Sequence, residues 1–488
     1  MSRLNWTKRA YGVFLLCATT AIALPAQTFT TLHSFDGTDG ANPAAVLIQA
    51  TNGYLYGTTY AGGANNDGTV FKISPSGTLT TLHSFDYTDG EEPNGGLVQA
   101  TDGNFYGTTY AGGANNDGTV FKISPSGTLT TLHSFAGYPT DGSDPTAALV
   151  QATDGNLYGT TLQGGAGNDG TVFKVTAGGA LTTLYNFCSQ SACTDGSSPY
   201  AVLIQATDGN FYGTTFEAGG VAGEGTVFKI TPRGALTTLY SFCSQSACTD
   251  GAQPLAGLVQ ATDGNFYGTT TYGGANGGGT VFKITPSGTL TTLYGFCSQS
   301  ACTDGTRPVA GLVQATDGNF YGTTGGGGAN STCPNNVWGV GCGTVFKISP
   351  SGTLTTLHSF DGTDGSGPTA GLAQDTNGKF YGTTFTGGTS SASCSAYGSC
   401  GTVFSLSVGL SPFVETEPTS GKVGALVKIL GTNLTGTTSV TFNGTAAVFT
   451  VVSRSEITTT VPSGATTGKV QVTVSGHTLT SNVNFRVP

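Results

Sequence analysis

The chain has 488 residues, of which only 9% are charged and 78 are glycine, and acidic side chains outnumber basic ones 27 to 17. A duplex-binding surface needs a basic excess to displace counterions; no basic cluster exists here, so nucleic acid is excluded as a partner. Regularly spaced Leu, Val, Phe and Tyr exclude the other extreme, a disordered chain, because they supply a core for every segment.

Residues 1–26 place Arg3, Lys8 and Arg9 ahead of an apolar run, GVFLLCATTAIAL, followed by small residues. This order reads as a secretory signal peptide, cut after Ala23 or Ala26. Cys17 follows Leu16 where a lipobox needs a small residue, and no later stretch has the length of a membrane span. Removing the three basic residues leaves 14 against 27 acidic ones, a net of about −13 for the mature chain. The expected address is secreted: periplasm, extracellular space or cell surface, with no transmembrane segment after signal removal.

TFTTLHSF, residues 28–35, is a lone strand, and a repeat with a period of about fifty residues follows it. YGTT begins at Tyr56, Tyr106, Tyr158, Tyr212, Tyr267, Tyr321 and Tyr381, and a GTVF follows each. In the second copy four segments rich in β-branched and aromatic residues, GLVQA, NFYGTT, TVFKIS and LTTLHSF, are divided by turn dipeptides, the pattern of a four-stranded antiparallel meander. One such sheet cannot bury both faces, so the copies must pack on one another, and radial closure of seven is the β-propeller solution. A linear β-solenoid is the alternative, but it wants shorter repeats and parallel stacking. After the last GTVF no fourth strand follows, whereas residues 28–35 are a fourth strand with no preceding three. The count closes if residues 28–35 complete the seventh sheet beside residues 402–408, which also hides the edges of an open stack.

In this topology the turns from second to third strand and from fourth to first share one face. That face takes nearly all the length variation, including CSQSACTDG, GGANSTCPNNVWGVGC and GGTSSASCSAYGSC. Loops on a rigid scaffold are where binding resides. The residues after YGTT differ among copies as Tyr60, Tyr110, Leu162, Phe216, Thr271, Gly325 and Phe385, and the inserts add Trp338 and Tyr397. Tyr60, Tyr110, Phe216, Phe385, Trp338 and Tyr397 are therefore the candidate binding residues, suited to stacking on sugar rings or anchoring a protein. Packing of the sheet ends would equally explain them.

Ten cysteines besides Cys17 form five sequence-local pairs: Cys188 with Cys193, Cys243 with Cys248, Cys297 with Cys302, Cys333 with Cys342, and Cys394 with Cys400. An even count in an exported chain argues disulfides. Zinc would need four grouped ligands, and these pairs sit on separate sheets without histidine. The repeated aspartates of TDGxxP, Asp39, Asp89, Asp141, Asp195, Asp250, Asp304 and Asp364, could ring the channel mouth for a cation or cap their own turns; their presence in every copy favours the turn. His33, His83, His133 and His358 share a slot with Tyr185, Tyr240 and Tyr294, which reads as packing on an outer strand. No nucleophile elbow, HExxH, phosphate loop or isolated carboxylate pair occurs, so no catalytic residue, cofactor or metal is assigned.

From residue 409 the texture changes to alternating strands without Cys or YGTT, the pattern of a small antiparallel sandwich. Its order P-x-x-G-x-x-G, V-x-I-x-G-x-N-L, V-x-F-N-G, V-P and G-x-V-x-V-x-V, with Pro418, Gly421, Gly424, Gly431, Asn433, Phe442, Gly444, Pro462 and Gly468, resembles the IPT/TIG immunoglobulin-like fold. DGNFYGTT, GG and GTVFKISPSGTLTTLHSF, copy after copy, resemble the GloVer (Gloeo/Verruco-type) tandem repeat of secreted bacterial proteins. That resemblance implies a repeat scaffold and carries no catalytic residues.

The expected architecture is all-β: a signal peptide over 1–26, a seven-bladed β-propeller over 27–408 closed by an N-terminal strand, and an immunoglobulin-like β-sandwich over 409–488. The expected function is a non-catalytic secreted or surface binding or scaffold protein engaging a glycan or protein by its disulfide-pinned face. The alternative is a secreted propeller enzyme, a polysaccharide lyase, glycosidase or quinoprotein. Such an enzyme breaks repeat symmetry to gather charge at the channel mouth, whereas the departures here are mainly Gly, Ser, Asn and Cys.

Overall fold

A computed structural model describes residues 27–220, 222–331, 333, 339–389, 394 and 398–488; the expected signal peptide lies outside them. Seven four-stranded antiparallel sheets form the propeller. Blade 2 shows the plan: Val98–Gln99 innermost, then Phe105–Thr109, Thr119–Ile123 and, outermost, Leu129–Ser134. The innermost strand is only two residues long, shorter than the GLVQA segment suggests. Blades are numbered in chain order, blade 1 beginning at Ile48 and blade 7 at Ala373.

Blade 7 is completed from the other end of the chain. Thr28–Ser34 pairs antiparallel with Thr402–Ser407, from Thr28 opposite Ser407 to Ser34 opposite Thr402. The orphan strand and the missing strand thus close the ring, which leaves no blade incomplete.

The second strand, YGTT, is buried throughout in every blade because another blade covers each of its faces. Tyr56 stacks on Phe105 of blade 2 at 4.1 Å, and Phe85 meets Phe121 edge-on at 5.3 Å. Burying each such ring contributes about 1.5–3 kcal/mol. Glycine follows this tyrosine for lack of room: a Cβ on Gly107 would sit 2.6 Å from Phe121 Cζ and 3.0 Å from Leu97 Cδ2. In blades 2 to 6 the tyrosine hydroxyl donates to the aspartate of its own first turn, as Tyr106 to Asp102 at 2.8 Å and Tyr158 to Asp154 at 2.9 Å; in blades 1 and 7 Tyr56 and Tyr381 accept from Asn52 and Asn377 instead, at 2.7 and 3.0 Å.

The QATDG glutamine performs the lateral stitching. Thr51 N–H donates to Gln99 Oε1 at 3.0 Å, and Thr101 N–H to Gln151 Oε1 at 2.9 Å. The same bond recurs from blade to blade until Thr376 N–H reaches Gln49 Oε1 at 2.9 Å. The seven bonds form a closed circuit, and each satisfies a backbone donor at a turn.

Residues 414–485 form eight strands in one continuous curled sheet around a separate core that includes Val427, Ile429, Val440, Ile457 and Phe485. His477–Phe485 belongs to both halves, pairing with Gly468–Val474 and, in parallel, with Val414–Glu417. This domain rests on the first-turn face of the propeller. Ser455 Oγ donates to Thr51 O at 2.8 Å, Thr376 and Thr432 hydroxyls meet at 3.0 Å, and Lys428 Nζ reaches Thr101 O at 3.5 Å. Arg486 donates to Thr207 O. Contacts with blades 1, 2, 4 and 7 place the domain across that end of the propeller axis. Among the described residues no helix is long and apolar enough to cross a membrane.

Candidate functional site

The opposite face carries the mouth of the axial channel. Each second strand is fixed at its end by a threonine pair, as in Thr59 with Thr69 at 2.8 Å, so the next residue is held at the rim. Its N–H donates to the residue before the TDGxxP proline: Tyr60 to Asn42 at 3.1 Å, Tyr110 to Glu92 at 3.0 Å, Leu162 to Asp144 at 3.1 Å and Phe385 to Gly367 at 3.1 Å. Phe216, Thr271 and Gly325 bond Ser198, Gln253 and Arg307 in the same way. Two concentric rings result, one of post-YGTT residues and one of pre-proline residues.

Inside them lies a cavity of about 750 Å³, within the size range of small-molecule sites. Its wall is the short segment leading from each proline into the innermost strand, where Ala and Gly predominate, with Val46, Val202, Leu255 and Val309. Tyr60, Tyr110, Leu162 and Phe385 line its mouth, and the Tyr60 and Phe385 rings stand 6.4 Å apart, tilted to one another by 55°. Phe216, Thr271 and Gly325 do not line it: Thr271 is fully buried and Phe216 half-buried away from the cavity. Trp338 and Tyr397 lie outside the described residues. The aromatic rim is thus an arc on blades 7, 1 and 2 rather than a circle.

Tyr200, not anticipated from sequence, enters the cavity from blade 4; it follows a TDGxxP proline, a variable slot that signals wall residues. Its hydroxyl accepts from Asn94 Nδ2 at 3.0 Å, and burial raises its pKa above the usual phenol value. No charged side chain lines the cavity among the described residues. Thr369 Oγ1 in the wall is buried without a hydrogen-bond partner there.

The pre-proline ring breaks symmetry in charge, reading Asn42, Glu92, Asp144, Ser198, Gln253, Arg307, Gly367. Glu92 and Asp144 stand on adjacent blades, with Asp67, Glu91 and Asp117 beside them. Asp144 is pushed up to about 6 by burial and then by Asp117, and Glu91 is raised by burial, Asp67 and Glu92. Tyr110 is raised by burial and then by Asp144 and Glu92. Across the ring Arg307 lies over the Tyr272 ring at 5.4 Å.

The histidine slot and the TDG aspartate, separate in sequence, form one pair. His33 bonds Asp39 at 2.6 Å, His83 Asp89 at 2.7 Å, His133 Asp141 at 2.8 Å and His358 Asp364 at 2.7 Å. Tyr185, Tyr240 and Tyr294 donate instead to Asp195, Asp250 and Asp304 at 2.8 Å. The slot is therefore a hydrogen-bonding position as well as a packing one. The three tyrosine blades are those with CSQSAC loops, where Cys188–Cys193, Cys243–Cys248 and Cys297–Cys302 are joined; Cys333–Cys342 and Cys394–Cys400 complete the five disulfides. Among the described residues no three His, Cys, Asp or Glu side chains gather as a metal site.

These features define a seven-bladed propeller with an apolar, one-sidedly acidic channel mouth. The Gloeobacter/Verrucomicrobia repeat matches residues 18–152, 130–334 and 247–450, and the chain belongs to that family. No curated protein matches the sequence. Among solved structures, virginiamycin B lyase from Staphylococcus aureus is similar with a TM-score of 0.52 and 12% identity, over 78% of this chain and 99% of that one. The extracellular domain of a hybrid two component system from B. thetaiotaomicron is similar with a TM-score of 0.50 and 11% identity, over 93% of this chain and 58% of that one. At these identities the likeness is one of fold.

Proposed function

We propose that this is an exported, non-catalytic binding protein that takes the apolar part of its ligand, a protein or glycan, into the axial channel from the loop-rich face. The supporting observation is the 750 Å³ cavity, whose lining offers aromatic and aliphatic surface and no charged group. Such a wall stabilises a ligand by desolvation, and among the described residues it presents no carboxylate, histidine or lysine for acid–base work. The five disulfides suit an oxidising compartment outside the cytoplasm. The C-terminal domain, by its IPT/TIG resemblance, serves as a spacer or adhesive module, and here it also covers the far end of the axis.

Titration with the neutral solvatochromic dye Nile red tests this reading. One saturable site is expected, weakened at least tenfold in a Tyr60→Ala, Tyr110→Ala, Phe385→Ala triple variant. Dye binding that the triple variant leaves unchanged would refute the site.

A further inference from the structure

The channel wall is uncharged, and its mouth is flanked by carboxylates on one side. The backbone carbonyls of Glu92 and Asp144 accept from the amides of the rim residues Tyr110 and Leu162, and both residues are half-buried. Neither forms an ion pair among the described residues. Asp67, Glu91 and Asp117 extend the same crescent, and Glu92 N–H and Asp144 N–H are tied to Asp67 O and Asp117 O at 3.0 and 3.1 Å. Lysines cannot neutralise it. Lys229 and Lys283, for example, pair with first-turn aspartates on the opposite face at 2.9 and 3.1 Å. Arg307 stands across the mouth and is engaged with Tyr272. Half-buried carboxylates gathered beside an uncharged cavity, with no cation paired to them among the described residues, cost free energy unless a positive charge arrives from outside.

Resting on the binding function above, we propose that the ligand is a cationic amphiphile: an apolar group fills the channel while an ammonium or guanidinium carried on it sits between Glu92 and Asp144. A peptide side chain flanked by Lys or Arg and a small alkyl amine share this chemistry. Sugar hydroxyls fit less well, because the wall offers them only Asn94, Thr146, Thr369 and phenol oxygens.

Isothermal titration of the mature full chain at low salt with octylammonium, octyl glucoside and octanoate separates head-group charge from the common apolar tail. Octylammonium should bind at least tenfold tighter than octanoate, with the glucoside between them. Glu92→Gln with Asp144→Asn should bring the three within about threefold of one another, and high salt should do the same. Ala44→Trp, or Val309→Trp on another part of the wall, should remove binding of all three. The acetylated peptide amide Lys-Phe-Lys against Glu-Phe-Glu then identifies the source: preference for the basic peptide means a protein segment, and equal weak binding of the two means a small amine. Equal octyl affinities that Ala44→Trp still abolishes would overturn the charge assignment and leave the channel site standing. Absence of binding by any octyl probe, or binding untouched by both tryptophan variants, would overturn both.

Discussion

Single residues decide whether blades fit together. Gly107 has Phe121 and Leu97 where a methyl would go, so Gly107→Ala should cost about 1–3 kcal/mol by overpacking. A lower denaturant midpoint at unchanged slope would report it, and an unchanged midpoint would contradict the packing argument. The His–Asp pairs are worth less. His133→Phe keeps the ring against Phe135 but strips a donor from Asp141, which should cost about 1–2 kcal/mol. His133→Tyr should recover part of that loss, because tyrosine makes the equivalent bond in blades 3, 4 and 5. These pairs escaped the sequence because the partners lie six to ten residues apart across a loop of variable length. Reading each position alone gave a turn cap and a packing slot, when the physical unit is the bond between them.

Elements were more legible than bonds. Turn dipeptides and β-branched runs located every second, third and outermost strand, and strand arithmetic located the closure. Deleting residues 27–35 should cost several kcal/mol, because a half-buried strand and its ladder to Thr402–Ser407 are lost together. Thermal unfolding of the truncated chain measures this, and an unaltered transition would contradict closure by that strand. Docking of the C-terminal domain could not be read, since it depends on departures of one or two residues from the repeat. Blades 1 and 7 replace the usual first-turn aspartate by Asn52 and Asn377, and blade 7 puts Asp375 where other copies have alanine. Burial pushes Asp375 up to about 6, and burial with Asp375 and Glu417 nearby pushes Glu415 to about 7. Glu417 also stands near 7, through burial, against the pull of Lys428 and with the push of Glu456. Asn482 donates to Glu415 at 2.9 Å, and Lys379 is the cation beside Asp375. Raised acids bind more protons when docked than when separated, so docking is strongest below about pH 4 and weakens as pH rises to about 7. Limited proteolysis between the domains should therefore be faster at pH 8 than at pH 5, and Asp375→Ala should shrink the difference. Equal rates at both pH values would contradict the buried carboxyl cluster.

At the scale of the whole molecule, a symmetric scaffold carries an asymmetric site. The scaffold was readable because seven copies repeat each structural requirement. The site was readable only in part: the post-YGTT slot pointed to Tyr60, Tyr110 and Phe385, but the wall residues Tyr200, Leu255 and Val309 and the charges Glu92 and Asp144 sit in turn-like segments whose side-chain directions depend on ring closure. The disulfides pin loops rather than blades, each contributing about 2 kcal/mol on the chain-entropy model. Reduction should speed hydrogen exchange in the CSQSAC loops while leaving the far-ultraviolet dichroism of the sheets in place, and global unfolding on reduction would show a larger role. The central claim is that ligand enters the axial channel from the loop-rich face while the C-terminal domain covers the other end. Hydrogen–deuterium exchange of the full chain with and without octylammonium tests it most directly. The account predicts slowed exchange at the amides of Tyr110, Leu162 and Tyr200, with Thr51, Thr101 and Thr207 unchanged; protection confined to those first turns or to the C-terminal sheet would contradict it.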